Sequence, residues 1–359
     1  MRVAESTALE APFPAQAAVY PEFRYMGSKH RLLPWLHGIL AQLDFETAED
    51  PFCGAGNVAY LLKAMGKAVR TSDFLAFPTT MSAALVANAS ATLTERDVGA
   101  LLRPGKGQQD FIERTFTGIF FNPIDLRLLD TVWGNLARLK SDDHRALALT
   151  ALIRSCMKRQ PRGVFTVANG ADDSVRYDDG RRDLQIPLSQ HFTEQVGVLN
   201  AVVFDSGTRC TAERRDVFAS DRRRPVNLVY LDPPYVPRAD DNCYVKRYHF
   251  LEGLATYWKD ARILQSSKVK KLEKPYTPFS YRKDAHEAFD QLFAKYRRST
   301  IVMSYSDNGY PNRSILGDLL GRYKRAVTVH ERAHRYHFGT HAGVTRAETM
   351  EYVLVGTDN

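Results

Sequence analysis

The chain has 359 residues, 44% hydrophobic and 25% charged, a composition that excludes a disordered or fibrous polypeptide and leaves one large or two modest globular domains. With 49 Lys and Arg against 41 Asp and Glu the formal charge is +8, a mild bias toward a polyanionic partner, and the basic residues cluster at 154–162, 214–224, 268–274 and 322–335. The 4 cysteines make neither a disulfide framework nor metal-type pairs, and no apolar run reaches membrane-spanning length, so a reducing cytoplasm is the simplest home.

Residues 1–21, rich in Ala and Pro, read as a loose N-terminal arm. A short segment from Phe23 to Lys29 ends in a Gly27-Ser28 turn, and apolar residues at helical spacing predict a helix over 30–43. A strand is expected over 45–49, although it is polar for one. The glycine-rich turn Asp50-Pro51-Phe52-Cys53-Gly54-Ala55-Gly56-Asn57 follows, then a helix over 58–65 and a strand over 68–72 ending at Asp73. Strand, glycine turn, helix, strand and acid in this order hold adenosine-containing cofactors in open α/β sheets. Residues 82–201 differ in texture. Helices are expected over 83–89, 126–140 and 145–157, with an exposed loop or hairpin region over 160–187, so this block reads as an inserted, mostly helical domain. The α/β pattern resumes near Val202. Strands are predicted over 226–231, 300–305, 325–329 and 351–355, a helix over 250–258, and a basic surface loop over 268–282.

The most informative segment is Asp232-Pro233-Pro234-Tyr235, directly after the apolar run 226–231. An exocyclic amine on a nucleobase is a poor nucleophile because its lone pair is delocalised into the ring. The Asp232 carboxylate and a backbone carbonyl at Pro233 can accept both amine hydrogens and localise that pair, while Tyr235 can stack on the ring. The prolines have fixed φ and no N–H, so the turn is stiff and its carbonyls stay available. Taken alone, the tetrapeptide also reads as an ordinary strand-to-loop turn. Gly54 and Gly56 permit close backbone approach to a ligand. Asp73, 19 residues beyond Gly54, suits a ribose-binding carboxylate or a strand-end cap. The Lys-Ser/Thr ending of a phosphate loop is absent, so a nucleoside triphosphate is not expected.

The run from Phe23 through Lys29 to Leu33-Pro34-Trp35, the Asp50–Val58 segment and Asp232–Tyr235 together resemble, in that order, the Dam-like class of adenine-N6 DNA methyltransferases. The likeness covers 22–75 and 212–310, and the middle by position only. It implies a Rossmann-like methyltransferase sheet with helices on both faces (22–81 and 202–359) plus an inserted target-recognition domain (82–201). It also implies S-adenosylmethionine as methyl donor and a flipped adenine in duplex DNA as target. Residue by residue, Tyr25, Lys29, Asp50, Phe52, Gly54, Gly56, Asp73 and Asp232 stand at cofactor-contacting positions, with Lys29 suited to the donor's carboxylate. Asp232, Pro233, Pro234 and Tyr235 form the catalytic motif. Asp216 matches loosely; it sits under the cofactor adenine or pairs with Arg214 and Arg215. The chain departs from the family in its polar first strand and in Gly27-Ser28, where Gly-Gly is common. Residues 248–252 line the target pocket or belong to the core, and 304–308 could close its far wall. Arg154, Lys158, Arg159, Arg162, Arg176, Arg181 and Arg182 are available for DNA contact. His249, His334, His337 and His341 lack metal spacing with Cys, and no metal is expected. Restriction–modification or genome marking, with a cognate endonuclease and a monomeric enzyme, completes the expectation. The alternatives are methylation of cytosine N4 or RNA, and a non-catalytic DNA-binding protein on a relic fold.

Overall fold

Short apolar runs alternating with glycine turns and helices build one mixed sheet in the computed structural model, which describes residues 2–3, 12–105, 107–161, 163–168, 180–220, 224–236, 244–335 and 348–358. The strands are β1 (Arg2–Val3), β2 (Thr47–Asp50), β3 (Ala68–Asp73), β4 (Thr211–Arg214), β5 (Leu228–Leu231), β6 (Thr300–Ser306), β7 (Ala326–Arg335) and β8 (Glu348–Thr357). Their order is β1-β7-β8-β6-β5-β2-β3-β4. Apart from the two-residue β1 at one edge, this is a seven-stranded sheet flanked by helices, the expected Rossmann-like arrangement. All neighbours are parallel except β8, which runs antiparallel to β6 and β7.

From β2 the chain moves outward through β3 to β4, then returns to the other side of β2 as β5 and continues to β6. The order therefore reverses between β2 and β5, and the crevice beyond their carboxyl ends is where open α/β sheets bind ligands. Asp50 ends β2 and Asp232 follows β5, so both acids open onto this crevice.

Strand β5 shows how the layers form. Leu228 and Tyr230 face one core with Leu61, Leu62 and Val302. Val229 and Leu231 face the other, with Phe289, Leu292, Phe293 and Leu316. This two-residue alternation, apolar on both sides, marks a fully covered parallel strand. The polar β2 is stable because its polar groups are paired. Asn227 Oδ1 accepts from the Thr47 amide at 3.0 Å and hydroxyl at 2.8 Å, and Tyr296 donates to the buried Glu49 at 2.9 Å.

Several boundaries differ from expectation. The stretch 1–21 is not a loose arm from Phe13 onward. Ala15–Ala18 is helical, Ala17 and Tyr20 are buried, and Gln16 donates to Tyr60 at 3.0 Å. The helix expected from 250 spans Tyr244–Thr256, with a kink at Tyr248. The helix expected from 83 begins earlier, as Ala76–Ser82 running into a π-turn over Ala83–Ala87. The middle block is helical as expected. Glu95–Leu102, Pro123–Asn135, Asp142–Arg159 and Leu188–Asn200 share the first core with the sheet, and Phe165 stacks on Phe250 at 5.0 Å between ring centroids.

Candidate active site

The corner after β5 is anchored on both sides. Asp232-Pro233-Pro234-Tyr235 has no regular structure, but Val236 then bridges to Tyr310, whose amide donates to the Val236 carbonyl at 3.0 Å. The Asp232 carboxylate is 19% exposed and accepts from Lys29 Nζ at 2.8 and 2.7 Å through its two oxygens. Burial pushes the Asp232 carboxyl up to about 6, Lys29 opposes that rise, and Glu351 adds to it. Lys29 also donates to the Gly27 carbonyl at 3.0 Å and stands 5.2 Å from the Tyr235 ring centroid. Both oxygens of the Asp232 carboxylate are thus bonded to Lys29.

The glycine turn is shaped by two tyrosines. Gly54 has φ +46°, and a Cβ there would lie 3.1 Å from Tyr25 Cε1. Gly56 has φ +75°, and its Cβ would lie 2.8 Å from the Tyr20 hydroxyl. The space a side chain would need at both glycines is therefore filled by the protein's own rings. Tyr20 also donates to the Ala55 carbonyl at 2.6 Å, and Tyr25 stacks on Tyr248 at 5.2 Å. Asp73 accepts from the Gly54 amide at 3.0 Å and from the Leu75 amide at 2.9 Å, and burial pushes it up to about 6. Asp50 accepts from the Phe52 amide at 3.3 Å. Burial and then the nearby Asp232 hold its carboxyl well above the usual range.

The cleft brings together Tyr25, Lys29, Asp50, Phe52, Gly54, Asp73, Asp216, Asp232, Pro233, Pro234 and Tyr235, with Gly56 behind the turn. Asp216 is exposed at its rim and accepts from the Phe218 amide at 2.8 Å, while Arg214 pairs with Glu252 at 3.2 Å and Arg215 with Glu213 at 3.3 Å. Sequence reasoning missed four contributors: Tyr20, Phe218, Tyr244 and Phe279. Phe279 meets Phe52 edge-on at 5.5 Å and stacks on Phe218 at 5.8 Å, making an aromatic slot. Phe279 comes from the stretch 268–282, expected to be surface loop, in which 275–280 line the cleft and Phe279 is buried. Its one signal is the run Pro275-Tyr276-Thr277-Pro278-Phe279, two aromatics each directly after a proline beside a basic run.

Other expected residues lie elsewhere. For 248–252 the core alternative holds. His249, Phe250 and Leu251 are fully buried, and Glu252 caps the helix Ala76–Ser82 by accepting from the Ala76 amide at 2.8 Å. Burial lowers His249 to about 4, so the ring is neutral, with Nε2 bonded to the Phe165 carbonyl at 2.7 Å. Residues 304–308 do not line the cleft; Ser304 bonds Tyr230 at 2.6 Å, and Asn308 donates to Thr349 at 3.0 Å. The basic residues expected to be available are largely committed. Lys158 pairs with Asp183 at 2.9 Å, Arg159 is buried against Asp125 at 3.2 Å, Arg181 donates to the Pro161 carbonyl at 2.9 Å, and Arg182 pairs with Glu194. Arg154 donates to the Glu22 carbonyl at 3.2 Å. Arg162, Arg176, Cys243, His337 and His341 lie outside the described residues. Among the described residues no group of three His, Cys, Asp or Glu side chains could hold a metal ion.

The geometry suits two neighbouring ligands. An aromatic slot with two carboxylates lies along the glycine turn. Beside it stands a corner stiffened by two prolines, with an acid and an aromatic ring.

Comparison with known proteins bears on both halves. The profile of the D12 class of N6 adenine-specific DNA methyltransferases matches residues 25–305, which contain both motifs and the block between them. The chain is 28% identical over 328 residues to the type II methyltransferase M2.HphI of Haemophilus parahaemolyticus, covering 88% of this chain and 92% of that protein. It is 22% identical over 351 residues to the modification methylase LlaI of Lactococcus lactis subsp. lactis, covering 94% of this chain and 52% of that protein.

Proposed function

The chain belongs to the D12 class of N6 adenine-specific DNA methyltransferases, and from that premise we propose that it methylates a flipped adenine within a specific duplex sequence, using S-adenosylmethionine. The observation that carries the reading is the corner itself. Asp232, the Pro233 carbonyl and Tyr235 stand beside the glycine turn and aromatic slot in one crevice.

The residues of the slot fit the donor. Phe52, Phe218 and Phe279 offer apolar faces for an adenine, Asp73 can accept from ribose hydroxyls, and the Asp50 and Asp232 carboxylates suit the cationic groups of the methionine end. When bound, the donor supplies a methyl group on a sulfonium, already activated for in-line displacement by nitrogen. The chain's own residues do the remaining work. Asp232 and the Pro233 carbonyl accept the two amine hydrogens and aim the lone pair, and Tyr235 covers the base. A strong base is not required, because the amine turns acidic once methylated and loses its proton afterwards. Lys29 must yield an Asp232 oxygen to the amine, and its charge keeps the carboxylate ionised meanwhile.

Extruding an adenine from the stack costs roughly a few kcal/mol, which stacking on Tyr235 partly offsets. The block 82–201 is the proposed target-recognition domain, acting as part of a monomeric, bacterial or phage-encoded enzyme in the cytoplasm. Since the relatives are named as a type II methyltransferase and a modification methylase, a role in restriction–modification beside a cognate endonuclease follows as part of the proposal. DNA from cells expressing the chain tests it. Methylation-sensitive sequencing should find N6-methyladenine in one recurring motif, absent with Asp232→Asn; no motif, or a cytosine mark, would overturn the reading.

A further inference from the structure

We infer that Glu351 is a positioning residue, whose carboxylate fixes the Tyr235 ring in the orientation that stacks on the target base. The inference rests on the proposed role of Tyr235 above. Glu351 lies on β8, opposite Ser306 of β6 and Arg332 of β7, and outside the stretch 25–305 that matches the family profile. Its side chain is 1% exposed, and the Tyr235 hydroxyl donates to its Oε2 at 3.1 Å.

The ring is held at a second place. Tyr305 meets Tyr235 edge-on at 4.9 Å between centroids. Tyr305 is itself fixed, donating to the Tyr310 carbonyl at 2.6 Å and accepting from the Val236 amide at 3.3 Å. Tyr235 is thus gripped at its tip and against one neighbour while it lines the cleft. A neutral acceptor would meet the phenol at lower desolvation cost, but a carboxylate accepts more strongly. The second acid also has a visible cost, since its charge opposes ionisation of Asp232. What it supplies is order in advance: a ring already fixed loses no freedom when the base arrives.

The test uses the full chain. With ring-labelled tyrosine, Tyr235 is assigned from the signal lost in Tyr235→Phe, and its flipping is followed by NMR. Glu351→Ala should free the ring, with Glu351→Gln intermediate because its amide oxygen still accepts. Single-turnover methylation should lose about ten-fold in kcat/KM for DNA with Glu351→Ala or Tyr235→Phe, with the donor KM unchanged. The double variant should be no worse than either single. Unchanged ring motion in Glu351→Ala, or losses that multiply in the double variant, would overturn the inference. Should Glu351→Ala not fold, Glu351→Gln and Tyr235→Phe carry the same comparison. If the unaltered chain methylates no adenine, the functional reading fails, while the ring measurement still decides whether Glu351 holds Tyr235.

Discussion

Asp232 and Lys29 are 203 residues apart in sequence and share a bond in the cleft. Asp232→Ala should abolish methylation, a loss of at least 10²–10³-fold, because the acceptor that aims the amine is gone. Donor binding should fall less, and calorimetry separates the two effects. The pH profile follows from the same pair. Burial raises Asp232 to about 6, so the accepting carboxylate is present above that value and is lost as pH falls through it. Lys29 and Glu351 set this balance on top of burial. Lys29 favours the charged form, so Lys29→Met should move the acid limb of the single-turnover rate toward higher pH, by about one unit or more. An unmoved limb would mean that the lysine does not act through Asp232. The acid and the prolines were legible because their chemistry is contiguous. The lysine's partner was not, since nothing local in the sequence records a contact across the fold.

Elements were legible where burial is uniform. Strands β5 and β6 are apolar runs and came out within a few residues of their expected bounds. The polar β2 gave a weak signal, because its stability comes from Asn227 and Tyr296, which lie far along the chain. The N-terminal segment looked loose because Ala and Pro carry little periodicity, yet Tyr20 reaches the glycine turn. Tyr20→Phe keeps the ring and removes the bond to the Ala55 carbonyl. It should weaken donor binding by about 1 kcal/mol, roughly five-fold, and leave the KM for DNA unchanged. Equilibrium dialysis with labelled donor checks this; unchanged affinity would show that the segment only packs. Gly56→Ala combines a positive φ with the contact to Tyr20, and its thermal midpoint should drop by several degrees.

For the whole molecule, three motifs in order were enough to imply a Rossmann-like sheet, whereas the strand order and its reversal between β2 and β5 depend on pairings far apart in the chain. The DNA surface was not readable in the same way. Basic residues in the sequence look alike, whether they face solvent or an acid elsewhere in the chain. Arg159 illustrates this: it is buried against Asp125, which also accepts from the Leu188 amide at 3.0 Å. Arg159→Ala should therefore cost about 3–5 kcal/mol of stability by removing the buried cation that faces the Asp125 carboxylate, seen as a lowered denaturation midpoint rather than a selective loss of DNA affinity. The central claim is that the crevice between β2 and β5 brings a methyl donor to an adenine amine. Its most direct test is to incubate the purified chain with methyl-labelled S-adenosylmethionine and unmethylated duplex DNA, digest the product and separate the nucleosides. All label should appear as N6-methyldeoxyadenosine, and none with Asp232→Asn; label on cytosine, or donor bound with no transfer to DNA, would contradict the account.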